Sequence, residues 1–220
     1  MNAHSNRLRI ALMSNVFLAV MEPVTWCMML FSRSDVALSA MGLGSLKYFT
    51  VLSNLLLGLA SLVYAICIIR FLRSGADIPS WAHKLKYAAT VAVTVTLMTV
   101  LLFLGPTLGY ALMFVGANLW FHLVLPVIAL VEFIFFDTAN SLSFKTTLIG
   151  VVPTLLYGLV YVANILMNGV GSGAATNDWY GFTMWGVELI PVVLFVMLIA
   201  TWVFALIIYA ANALVRRKSS

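Results

Sequence analysis

Residues 112–136 read LMFVGANLWFHLVLPVIALVEFIFF, a nearly unbroken apolar run with one histidine, His122, near its middle. At a rise of about 1.5 Å per residue, about 20 such residues cross the roughly 30 Å of hydrocarbon in a bilayer. Water is absent at that depth. An imidazole there costs free energy unless a neighbour or a small polar cavity compensates it, so an intramembrane ionisable group marks a site by default.

Five further runs of similar length flank this one, at residues 10–31, 48–72, 85–104, 147–167 and 184–211. The 220-residue chain is 63% hydrophobic and 9% charged, with a mean hydropathy of +1.07. A soluble domain of this size cannot hide that much apolar surface, and the composition is that of an integral membrane protein. Backbone groups in lipid must be satisfied within each segment, so continuous apolar runs of this length are helices; barrel strands would be shorter and alternate in polarity. The expectation is an all-α polytopic protein of six transmembrane helices forming one domain over residues 1–220.

Orientation follows from the basic residues beside each span, which stay on the cytoplasmic side. Of the 12 lysines and arginines, all but Arg33 and Lys47 fall on one side when both termini are placed inside. The net charge of +5 is then a basic rim facing anionic headgroups, with no nucleic-acid partner. The first run follows Arg7 and Arg9 but is too long for a signal-peptide core and contains Glu22-Pro23, so it reads as a retained helix. Cys27 and Cys67 fall at opposite depths, beyond disulfide reach. The loop 32–45 and the Gly/Asn-rich stretch from Asn168 to Gly181 lie outside, the latter ending in Trp179, Tyr180, Phe182 and Trp185. Those aromatics fit an interfacial belt, or the roof of an outward-facing pocket.

Polar residues within the spans form two stripes. Lys47, Thr50 and Asn54 share a face of the second helix, and Asn118 and His122 share a face of the fourth, with Pro126 one turn on. Each residue taken singly has a structural reading, in helix packing or in satisfying a carbonyl freed by proline. The histidine tips the balance toward a shared interior cavity. A bis-histidine haem needs a second intramembrane imidazole, and His4 and His83 fall in the tail and the inner loop. Zinc lacks a ligand set. No cofactor or metal is expected. One neutral imidazole and one alcohol are what proton abstraction from a hydroxyl requires.

Lys47-Tyr48-Phe49-Thr50 and His122-Leu123-Val124-Leu125-Pro126, the latter followed by Glu132, resemble the two signature regions of the androgen-induced family of intramembrane threonine hydrolases. The resemblance implies that Thr50 is the nucleophile and His122 the general base in cleaving long-chain lipid esters, such as fatty acid esters of hydroxy fatty acids. It differs at Ser53, beside Asn54, and at Leu123 and Val124, positions that bear on substrate choice. The short helices and simple loops suggest a microbial branch in the cytoplasmic membrane.

An oxyanion would draw on Asn54, Asn118 or Lys47, and Glu22 and Glu188 are the acids available in the outer and central membrane. Thr50 lies just below the outer surface and His122 about ten residues into its helix, so ideal vertical helices separate them by several ångströms in depth. Tilt, an earlier start to the second helix or a deep funnel must close that gap. The alternative is a small six-helix transporter with a polar site around Glu22 and His122, the Pro-interrupted spans occupying corresponding positions of two halves.

Overall fold

The computed structural model describes residues 3–31, 42–137 and 140–218; Arg33 and most of the outer loop 32–45 lie outside them. Six helices are long and apolar enough to span a membrane. They are α1 (Ala3–Phe31), α2 (Phe49–Ser74), α3 (Ser80–Leu108), α4 (Ala117–Phe135), α5 (Thr146–Asn168) and α6 (Val187–Arg217). With six spans, the start of α1 and the end of α6 lie at one end of the bundle, called here the inner end. Successive helices pack as antiparallel neighbours in the pairs α1–α2, α2–α3 and α5–α6, while α4 fills the space between α1, α3 and α6.

The centre of the bundle is α3, which touches α2, α4, α5 and α6. Two-thirds of its most apolar window (67%) is buried, against 17% for α6. Its sequence explains the place it takes: Ala88, Ala89, Thr90, Ala92 and Thr94 are small, so four neighbours approach its backbone closely, the packing mode that replaces hydrophobic exclusion in lipid. The larger residues of α6, such as Val192, Phe195 and Val196, remain on the apolar surface.

Two prolines reshape the spans. Pro106 and Pro126 lack an N–H and press on the carbonyl four residues earlier, and each is preceded by a π turn, at Val100–Leu104 and Trp120–Val124. In the second turn the Leu125 N–H reaches back to the Trp120 carbonyl. The chain also breaks at Phe114–Gly116, where Gly116 takes a φ of 56°, and this corrects the apolar run 112–136. A short helix, Tyr110–Met113, precedes the break, and the membrane helix starts at Ala117. His122 therefore lies in the second turn of α4, not at mid-membrane.

Close packing of α1 on α2 depends on Gly58, where an added Cβ would sit 2.8 Å from the Glu22 Cβ. That contact is stem against stem and no side-chain rotation relieves it. Gly58→Ala is expected to lower the thermal midpoint of the purified protein, with an overpacking cost of about 1–3 kcal/mol. An unchanged midpoint would mean the two helices separate freely.

Candidate functional site

A cavity of about 460 Å³ opens in the outer half of the bundle, between α2, α3, α5, α6 and the segment before α6. Its walls are mostly apolar, with the hydroxyl-bearing Thr50, Thr96, Thr99 and Tyr157 among them. Phe103, Val192 and Val196 also line it, and they are 45%, 54% and 58% exposed on the apolar face of the bundle. The opening is thus lateral, toward the bilayer.

Tyr180, Gly181, Phe182 and Trp185 roof this space. The roof is stitched to the start of α2. The Phe49 N–H, one of the unpaired donors of a helix start, donates to the Tyr180 hydroxyl at 2.9 Å. The Tyr157 hydroxyl donates to the Lys47 carbonyl at 2.7 Å, and the Trp179 indole donates to Tyr157 at 3.0 Å.

Asp178 organises the roof loop by accepting from the Tyr161 hydroxyl, the Phe182 and Thr183 N–H groups and the Thr183 hydroxyl. Partial burial pulls its pKa up, but the hydrogen bonds from Thr183, Tyr161 and Phe182 outweigh that and hold the carboxyl below its usual value of 3.8. A depressed folded-state pKa contributes stability that is fully present above 3.8 and is lost as the pH falls through the lowered value. Acidification through that window is expected to loosen the roof, read as a change in tryptophan emission that Asp178→Asn shows already at neutral pH. A spectrum that ignores both changes would dismiss this role.

Thr50, the second residue of α2, lies on the cavity wall. Its carbonyl accepts from the Asn54 amide at 2.7 Å and from the Ser53 hydroxyl at 3.1 Å, and Ser53 in turn shares a 3.0 Å hydrogen bond with Thr96. The same Asn54 amide donates to the Phe121 carbonyl at 3.2 Å. One side chain therefore ties the turn that carries Thr50 to the turn that carries His122. With Thr50 and His122 both near the outer starts of their helices, their separation in depth shrinks to roughly one helical turn.

His122 is 3% exposed, and it is not among the residues that line the cavity. Its Nδ1 lies 2.8 Å from the Met113 carbonyl. A carbonyl only accepts, so Nδ1 carries the proton of the neutral ring and Nε2 keeps its lone pair, the tautomer a base needs. Among the described residues, no hydrogen bond joins the Thr50 hydroxyl to this ring.

The remaining candidates scatter. Lys47 closes a 3-10 turn (Gly42–Lys47) ahead of α2, so helical periodicity does not carry it onto the face of Thr50 and Asn54. Its ammonium lies 5.2 Å from the ring centroids of Tyr48 and Trp179, a cation–π arrangement at the outer surface. Asn118 is half-buried in the first turn of α4. Glu188 is exposed in a 3-10 turn at the start of α6. Glu22 is fully buried, and neither carboxyl oxygen has a hydrogen-bond partner among the described residues.

A second polar assembly, which the sequence reading missed, fills the inner half. The Lys86 ammonium lies 3.3 Å from the Glu132 carboxylate and donates to the Ser61 hydroxyl at 2.8 Å. Asn15 donates to the other Glu132 oxygen at 2.9 Å. At the inner boundary the His83 Nε2 is 3.4 Å from Asp137, which also accepts from the Tyr64 hydroxyl. Burial pushes Asp137 above the usual carboxylate range, against the pull of Tyr64 and Lys86. His83 and Lys86 are both 0% exposed, so His83 is not a loop residue and Lys86 is not part of the headgroup-facing rim. Among the described residues no group of three or more His, Cys, Asp or Glu converges as metal ligands.

No protein-family model, no curated protein and no solved structure matches this chain.

Proposed function

We propose that this protein is an intramembrane lipid ester hydrolase with Thr50 as nucleophile and His122 as general base. The observation that carries the reading is the apolar cavity with a lateral opening and Thr50 on its wall. A long acyl chain enters such a space from the bilayer without crossing water, and a concave, largely apolar pocket with few polar groups is the usual form of a small-molecule site. The resemblance of the segments around Thr50 and His122 to the intramembrane threonine hydrolases supplies the chemistry. The corresponding setting is the cytoplasmic membrane of a microbe, with a long-chain lipid ester as substrate.

In this mechanism the His122 Nε2 takes the proton of the Thr50 hydroxyl as the oxygen attacks the ester carbonyl. The imidazolium returns that proton to the leaving alcohol, an acyl-threonine remains, and water activated by the same imidazole releases the fatty acid. Attack requires Nε2 within about 2.6–3.2 Å of the hydroxyl, a contact that tightens when substrate binds. Asn54 is already committed to two carbonyls and acts as a positioning residue that holds the two turns in register. Lys47 faces aromatic rings, which leaves Asn118 as the side-chain candidate for the oxyanion.

The test is labelling with a lipophilic fluorophosphonate followed by peptide mapping. Phosphonylation at Thr50 that is lost in His122→Ala supports the assignment. Labelling elsewhere with Thr50 untouched refutes it. The buried ionisable groups of the inner half favour a second reading, a small six-helix transporter with a polar site around Glu22 and His122. An unlabelled protein that moves solute across vesicle membranes would select it.

A further inference from the structure

The chain of buried ionisable residues between α1, α2, α3 and α4 has an order along the membrane normal. Asn15 and Glu22 are seven residues apart on one face of α1, two helical turns. Asn15 holds Glu132 at the inner of these levels. At the outer level Glu22 packs against Gly58 of α2. Ser61, one turn inward of Gly58 on α2, holds the Lys86 ammonium. The Lys86 ammonium, 3.3 Å from the Glu132 carboxylate, therefore lies about one turn inward of the level of Glu22.

The two carboxyls have different surroundings. Glu132 has an ammonium and an amide donor and is the charged member. Glu22 is 0% exposed with both oxygens unpartnered. A carboxylate with no donor at such a place is too costly to hold charged, so the group takes up a proton instead. A proton on Glu22 is the inexpensive solution, and Lys86 has the four-carbon stem to change partners.

We propose that Glu22, Lys86 and Glu132 form a proton-binding centre in the membrane, in exchange with the inner face through Asp137 and His83. Two states differ in the partner of Lys86 and in which glutamate holds the proton. In one, Glu22 is the acid and Glu132 the carboxylate paired with the ammonium; in the other, Glu22 is the paired carboxylate and Glu132 the acid. Proton count and net charge are the same in both, so no co-reactant is needed, and the proton changes level by about two turns.

The way in is short. Asp137 follows Glu132 by little more than a turn, and its N–H bonds the Glu132 carbonyl at 3.1 Å. The groups facing the centre are Tyr64 and Cys67 of α2, His83 and Lys86 of α3, Glu132 and Asp137 at the end of α4, and Arg216 of α6. On the outward side Thr25, one turn beyond Glu22 on α1, is buried, and its hydroxyl has no hydrogen-bond partner among the described residues. None of this draws on ester hydrolysis, so the centre stands or falls apart from the proposed activity.

The experiment is infrared spectroscopy of the full-length protein in lipid nanodiscs at neutral pH, in H2O and D2O. The wild-type spectrum minus that of Glu22→Gln is expected to hold the carbonyl band of a protonated carboxyl, shifted in D2O. Lys86→Met, which strands both glutamates, should enlarge that band. Glu132→Gln should remove it, because Lys86 then pairs with Glu22. An empty difference spectrum overturns the centre, and a Glu22 band unchanged in Glu132→Gln overturns the exchange of partners. If Glu22→Gln does not fold, carboxyl-13C labelling of the glutamates in the wild type gives the same answer. Glu188 is exposed, so a protonated glutamate belongs to the centre, and its absence refutes the proposal.

Discussion

Thr50→Ala and His122→Ala are each expected to lower turnover of a long-chain lipid ester by on the order of 10³-fold or more, and the double variant to be no worse than either single. A nucleophile and its base act as one unit, so removing either leaves only what binding and oxyanion donors supply. Thr50→Ser should keep part of the rate, since the hydroxyl survives while the γ-methyl that restricts its rotamer is lost. The readout is product release by mass spectrometry from detergent-purified variants of matched thermal stability. Matching matters because the Asn54 amide links the two turns, and a variant that disturbs this bridge lowers the rate without touching chemistry. Wild-type turnover in Thr50→Ala ends the assignment.

The second large effect concerns stability. Lys86→Met leaves Glu132 buried with no cation beside it, whereas in Glu132→Leu the Lys86 ammonium can still turn to Glu22. Breaking one side of a buried ion pair costs about 3–5 kcal/mol, whereas replacing both partners with apolar groups of similar volume is often neutral or stabilising by about 1–4 kcal/mol. The double variant Lys86→Met/Glu132→Leu is therefore expected to unfold at or above the wild-type midpoint, and Lys86→Met well below it. A stable Lys86→Met, or a double as poor as that single, would show that Lys86 and Glu132 do not compensate one another. Recovery in the double would also mean that the pair is dispensable for folding, which leaves proton binding as the physical reason to bury it.

The sequence by itself determined the six spans, because the length of an apolar run against the thickness of a bilayer is a one-dimensional comparison. It also singled out Thr50, Asn54 and His122 as polar groups out of place in apolar runs, and the structure places them in adjoining turns of α2 and α4. Three things needed the tertiary structure. Lys47 left the polar stripe because the chain enters α2 through a 3-10 turn, and a periodicity argument holds only where the helix has begun. His122 moved toward the outer surface because a glycine with positive φ breaks the run ahead of Ala117, and hydropathy does not register a break between two apolar segments. His83 and Lys86 read as loop and rim residues beside an apolar run; their partners Asp137 and Glu132 arrive from α4, far along the chain, and only packing reveals that α3 is central enough to bury all four. Hydropathy sums what each residue costs in lipid alone, whereas the cost of a charge is set by the neighbour that meets it, and that neighbour is decided by how the helices pack.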